Sequence, residues 1–145
     1  MMARVTELNR QALALGLNLL VFPQGTRSRV LTPGHTGAAQ MALHLGAPII
    51  PVGCSGSDRC YPGTSPLSRG GEITYRIGKP LLPEGELRDL RIEEPFVPFT
   101  ESAERHEPAF RKVTELMMSR INELVEPPYQ FQQGASLQQG ARRFV

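Results

Sequence analysis

The stretch Leu19-Leu20-Val21-Phe22-Pro23-Gln24-Gly25-Thr26-Arg27-Ser28-Arg29 is the point from which the rest of the chain can be laid out. Leu19 to Phe22 is apolar, branched and aromatic, and too short for a self-standing helix. It reads as a buried strand that Pro23, lacking an N–H for the ladder, brings to an end. The polar residues that follow then lie at the carboxyl end of a strand, the edge of an open α/β sheet where ligands bind. Gly25 lets backbone approach a ligand closely, Thr26 and Ser28 offer hydroxyls, and Arg27 offers a planar fork of donors matched to phosphate or carboxylate. The residues admit two readings: a phosphate-capturing turn, or an ordinary polar turn whose arginines are solvated.

Upstream, Val5, Leu8, Ala12 and Leu15 recur at steps of three and four, which predicts a helix over 3–15 with one buried face, closed by Gly16. Downstream of the arginine turn, 30–35 reads as a loop. A second helix opens at Thr36-Gly37, runs through Ala38, Met41, Ala42 and Leu45, and ends at Gly46. Ala47 to Gly53 is β-branched and reads as a second buried strand, with Pro48 and Pro51 pointing to an edge or an irregular ladder. Strand, helix and strand form a βαβ unit, so the expectation is an α/β fold with a parallel or mixed sheet and flanking helices. In that arrangement the turn at Gly25 and the turn at Gly53-Cys54-Ser55-Gly56 are neighbours.

Ser55 to Gly71 lacks periodicity and reads as a long surface loop. Glu72 to Ile77 alternates polar and apolar as a half-solvated strand does, and Gly78-Lys79-Pro80 ends it. The expected organisation is a first unit over 1–82, an extended proline-rich and acidic segment over 83–107 carrying the apolar clip Pro95 to Phe99, a terminal helix over 108–126, and a flexible tail over 127–145. The terminal helix follows from Phe110, Val113, Met117, Ile121 and Leu124 at helical steps, with Pro108 suited to its first turn.

The 16 basic and 14 acidic residues of the 145 give a net charge of +2. That balance argues against a nucleic-acid partner held by a positive field. The apolar runs fall short of the roughly 20 residues a spanning helix needs, and no signal-peptide pattern opens the chain, so the expected location is the cytoplasm. Cys54 and Cys60 match neither zinc nor redox spacing and are assigned no chemistry; no metal site is expected.

Phe22-Pro23-Gln24-Gly25-Thr26-Arg27-Ser28 resembles the third motif of the glycerolipid acyltransferases, typified by lysophosphatidic acid (1-acyl-sn-glycerol-3-phosphate) acyltransferase, which reads F-P-E-G-T-R-S. Pro48-Ile49-Ile50-Pro51-Val52 with Gly56 downstream is similar to that family's fourth motif, and Ile77-Gly78-Lys79-Pro80 looks like the strand-ending turn that follows. The resemblance covers about Thr6 to Pro80. It implies an acyltransferase of phospholipid biosynthesis, with Gln24, Gly25, Thr26, Arg27 and Ser28 holding the phosphate of a glycerol-phosphate or lysophospholipid acceptor. The acyl group would arrive from acyl-CoA or acyl carrier protein, with no further cofactor, and the complete protein would sit peripherally at the inner face of a membrane.

The sequence departs from the family at several points. Gln24 stands in place of a glutamate, which keeps hydrogen-bonding capacity and removes a charge. Gly34-His35-Thr36-Gly37 stands where an aromatic and lysines precede the glycine; His35 reads either as their substitute or as a solvated loop histidine. The family's first motif, a histidine and an aspartate separated by four residues, is missing: His35, His44 and His106 are followed five positions on by Gln40, Ile49 and Arg111. No catalytic residue is therefore assigned, and the expectation is the carboxyl-terminal part of an acyltransferase domain, inactive by itself. The alternatives are a non-catalytic lipid-phosphate binding module and an interaction subunit.

Overall fold

The structure is a computed structural model and describes residues 2–26, 28–62 and 67–132. In chain order it contains α1 (Met2–Ala14), α2 (Gly37–Leu45), β1 (Val52–Ser55), α3 (Ser57–Cys60), β2 (Thr74–Ile77), α4 (Glu101–Glu104) and α5 (Glu107–Leu124), with short 3-10 turns at Arg88–Leu90 and Pro127–Tyr129.

The first two helices stop in the same way. Gly16 and Gly46 both take positive φ, 75° and 59°. Beyond them Leu17 N donates to Ala12 O and Ala47 N to Ala42 O, both at 3.0 Å. These are the reach-back bonds by which a left-handed glycine satisfies a helix's last carbonyls.

The core is organised on α5. Phe110, Val113, Met117 and Met118 are buried along one face, and Leu81, Leu87, Phe96, Ala103, Ala39, Leu31 and Val125 close around them. The segment read from sequence as an extended surface run thus contributes Leu87, Phe96 and Ala103 to the core, and it folds α4 within it. Residues 127–132, grouped by sequence with the tail, also pack: Tyr129 O accepts from Leu31 N at 2.8 Å, and Asn122 Oδ1 accepts from Phe131 N at 2.8 Å. The remainder of the expected tail lies outside the described residues.

The sheet differs from expectation. Among the described residues it is a mixed α/β arrangement in which β1 pairs antiparallel with β2, Val52 opposite Ile77 and Ser55 opposite Thr74. Prolines explain where the ladder starts. Pro48 and Pro51 have no N–H to give, so pairing before Val52 is reduced to a bridge between Ile49 and Leu81 and a bond from Gly78 N to Pro51 O. Among the described residues the predicted strand over Leu19–Phe22 joins no ladder, and the expected parallel βαβ pairing is not found. Leu20 and Phe22 stand 80% and 75% exposed. An apolar run declares a need for burial but not the partner that supplies it. On α1 the predicted buried face is likewise open, with Leu8 54% exposed, while Thr6 is buried.

One face of the β1–β2 pair is pressed against the end of α5. Gly53 makes that approach possible: a Cβ on it would lie 2.7 Å from Leu124 Cβ. Arg76 Nη1 donates to Leu124 O at 3.1 Å, setting a cation on the helix's carboxyl end, where the macrodipole favours it. Ser55 Oγ accepts from Glu126 N at 3.0 Å, so strand and helix end are tied at two levels.

Candidate functional site

The turn after Phe22 is built by local chemistry. Gly25 N donates to Phe22 O at 3.0 Å, a tight turn with Pro23 at the position where its fixed φ is favoured. Gly25 takes a φ of 65°, and a Cβ there would meet His35 Cδ2 at 3.2 Å. Both facts call for glycine at this place. The loop then returns on itself, with His35 N donating to Pro23 O at 2.7 Å. His35 is thereby held as the wall behind the turn, rather than the solvated loop histidine that was one of its readings.

This turn lies at the edge of an open groove of about 700 Å³. The groove is lined by Val5 and Asn9 of α1, by Val21, Phe22 and Pro23, by the start of α2 with Met41, and by Thr114 and Met118 of α5. The walls are chiefly apolar, interrupted by polar side chains that include His35, Gln40, Glu107, Arg111 and Glu115. Arg111 is paired with Glu107 at 3.1 Å. The groove can therefore accept an apolar body beside a turn that carries the exposed hydroxyls of Thr26 and Ser28.

Of the five residues assigned to phosphate binding, Gly25 lines the groove, and Thr26 and Ser28 are exposed next to it. Arg27 lies outside the described residues. Gln24 is directed elsewhere: its side-chain amide donates to Thr32 Oγ1 at 2.8 Å, bracing the loop instead of facing the groove. Arg29 Nε comes within 4.0 Å of Asp58 Oδ2, at the limit of an ion pair. Asp58 lies on α3, just beyond β1; Gly53 to Ser55, expected as a turn, belong to that strand, and it is α3 rather than a second turn that meets the flank of the Gly25 turn. The Tyr129 hydroxyl donates to Asp58 Oδ1 at 2.8 Å. That bond stabilises the carboxylate and holds Asp58 below its ordinary 3.8, and the same bond pushes the Tyr129 phenol above 10.0.

Several groove residues were not legible as a site. His35 was seen only as a possible stand-in, and Asn9, Met41, Phe99 and Met118 lie far apart in sequence. Met41 and Met118 are apolar residues at helical steps, the type of ordinary core positions, while Asn9 reads as a polar helix residue and Phe99 as part of the apolar clip. Among the described residues no cluster of histidine, cysteine and acidic side chains could hold a metal ion, and no helix is long and apolar enough to cross a membrane.

Comparison with known proteins agrees with the turn's chemistry. The acyltransferase family model matches residues 1–55, from α1 through the turn and α2 to β1. Over those residues the chain is similar to the acyltransferases. Among individual proteins, it is similar to the chloroplastic 1-acyl-sn-glycerol-3-phosphate acyltransferase BAT2 of Brassica napus. The identity is 32% over 82 residues, 54% of this chain and 23% of that protein, so the chain spans less than a quarter of its relative's length. No solved structure matches the chain significantly.

Proposed function

We propose that this chain carries the acceptor-phosphate site of an acyltransferase of phospholipid biosynthesis, one that moves an acyl group from acyl-CoA or acyl carrier protein to a glycerol-phosphate or lysophospholipid acceptor. The observation that carries the reading is the glycine turn at Gly25, backed by His35 and opening onto a largely apolar groove. The phosphate would rest on the turn, against the hydroxyls of Thr26 and Ser28, with Arg27 supplying the charge-assisted bonds. The apolar part of the substrate would lie along the groove.

The reaction needs a base to take the proton from the acceptor hydroxyl. None of His35, His44 and His106 has an aspartate five positions on. His35 lines the groove, but the histidine and aspartate pair that orients such a base is not in this sequence. The chain's part in the reaction is therefore binding and orientation, and the membrane surface and acyl donor belong to the activity of the whole protein.

Calorimetric titration with a short-chain lysophosphatidic acid, kept below its micelle concentration, tests the reading. Arg27→Ala removes a charged hydrogen-bond donor worth about 1.5–3 kcal/mol, so affinity should fall about ten- to a hundredfold. Arg27→Lys should recover only part, because an ammonium does not reproduce the fork. Equal affinity in all three proteins would remove Arg27 from the site. Incubation with labelled acyl-CoA and the same acceptor should give no turnover above a heat-killed control. Turnover abolished by His35→Ala would make His35 the base. The absence of the histidine–aspartate spacing favours one second reading, a lipid-phosphate binding module without catalysis; in that case the phosphate site survives but acyl-CoA neither binds nor competes.

A further inference from the structure

Phe99 has the backbone of a residue held in place by its surroundings. Its φ is 63°, and among the described residues it is the non-glycine with positive φ. A bulky aromatic there is strained, and such strain persists only where neighbours over-determine it. They do so here. Phe99 N donates to Gln40 Oε1 at 2.8 Å, Thr100 Oγ1 donates to Val97 O at 2.8 Å, and Val97 N donates to Ser102 Oγ at 3.0 Å. Pro98, just before it, is fully buried.

The ring this backbone aims lies over the start of α2: a Cβ on Gly37 would meet Phe99 Cε1 at 3.1 Å. It is not core packing, for Phe99 remains 43% exposed. On one side of it is the 700 Å³ groove. On the other is a second recess of about 290 Å³, lined by Thr100, Glu101, Glu104 and Glu107. Phe99, Gln40 and Glu107 line both. The ring and the amide that pins it therefore stand between an apolar groove and an acidic recess.

We infer that Phe99, held by Gln40, is the end wall of the groove and sets the length of aliphatic chain the site accepts. The inference rests on the proposed function, in which the groove takes the apolar part of a substrate, and adds the residue that limits it. A chain growing toward Phe99 gains burial with each methylene until it meets the ring; beyond that point it must stay in water or displace a clamped, strained residue.

Binding of n-alkyl phosphates of increasing length, all below their micelle concentrations, measures this, with S-acyl pantetheines of the same lengths as a second series. For the unaltered chain, affinity should rise by up to about fourfold per methylene and then break to a flat or falling line. In Phe99→Ala the break should move to longer chains, with each carbon beyond the original break gaining less than about fourfold, because the recess it enters is lined by Glu101, Glu104 and Glu107. Phe99→Leu, which keeps an apolar side chain, should give an intermediate break and serves if the alanine variant folds poorly, as judged by circular dichroism. A shifted break in the phosphate series identifies the limited chain as the acceptor's, and a shift in the pantetheine series as the donor's. The same break in all three proteins overturns the role of Phe99. Competition by glycerol 3-phosphate reports separately on the phosphate turn: its absence would strike the acyltransferase reading while leaving the break point to decide Phe99. Failure of both series to bind at all would overturn both.

Discussion

Gly53→Ala probes the contact on which the sheet's position depends. The added methyl would lie 2.7 Å from Leu124 Cβ, 2.8 Å from Leu124 C and 3.0 Å from Leu124 O. Two of those three atoms are backbone, at the end of a helix whose carbonyl is already engaged by Arg76, so rotation of a side chain cannot make room. Overpacking of this kind costs about 1–3 kcal/mol, and the backbone obstruction places the variant at the upper end of that range. The smaller conformational freedom of an unfolded alanine returns about 0.4–1 kcal/mol, leaving a net loss of roughly 2 kcal/mol. Against a typical total of about 5–15 kcal/mol that is a large fraction. Gly78→Ala supplies the internal comparison. Its methyl meets Leu124 Cδ1 at 2.9 Å and Pro51 Cγ at 3.2 Å, the first being the mobile end of a side chain. Leu124→Ala should therefore relieve much of the Gly78→Ala penalty and little of the Gly53→Ala penalty, since alanine keeps the Cβ and the carbonyl. Urea unfolding followed by circular dichroism gives all the numbers. A Gly53→Ala protein within about 0.5 kcal/mol of the original, or one rescued by Leu124→Ala as fully as Gly78→Ala is, would refute the packing argument.

Gly25→Ala must hold a methyl at a φ of 65° and 3.2 Å from His35 Cδ2, so it should lose about 1–2 kcal/mol of stability and the phosphate affinity with it, as read by unfolding and by titration with glycerol 3-phosphate. The Tyr129–Asp58 bond predicts two limbs of pH dependence. Asp58 is depressed below 3.8, so the native state binds fewer protons than the unfolded one, and this stabilisation is present above 3.8 and lost as pH falls through the folded value. Tyr129 is raised above 10.0, so its contribution is complete below 10.0 and lost as pH rises through the folded value. Tyr129→Phe should flatten the acid limb and reduce the alkaline one in thermal unfolding across pH, leaving the part due to Tyr75, whose phenol is also raised, chiefly by neighbouring Cys54. An acid limb unchanged by Tyr129→Phe would show that the bond carries no such weight.

The helices were legible because their signals are local. The apolar spacing of Phe110, Val113 and Met117 and the glycines at 16 and 46 are properties of short windows, and α2 and α5 form where those windows place them. β2 was legible for the same reason, through the alternation from Glu72 to Ile77. The partners of strands are not local. The run Leu19–Phe22 asks for burial as strongly as any in the chain, yet nothing in it says that β1 will pair with β2 across the bridge of Ile49 and Leu81. At the site, Gly25 was readable because its φ follows from the turn. Gln24 was misplaced because its partner, Thr32, is eight residues on and defined only by the folded loop. Phe99 was visible only as part of an apolar clip; its strained backbone and its position between two cavities depend on Gln40 and Gly37, contributed by another helix.

Nuclear magnetic resonance mapping of a short-chain lysophosphatidic acid on the labelled chain tests the central claim most directly. The account predicts saturable shifts at the backbone amides of Gly25, Thr26 and Ser28 and at the His35 ring, with the alkyl part shifting Met41 and Met118 methyls across the groove, and loss of the turn's shifts in Arg27→Ala. Shifts confined to the exposed faces of α1 and β2, with the turn unmoved and the Arg27→Ala spectrum responding as the original does, would contradict it.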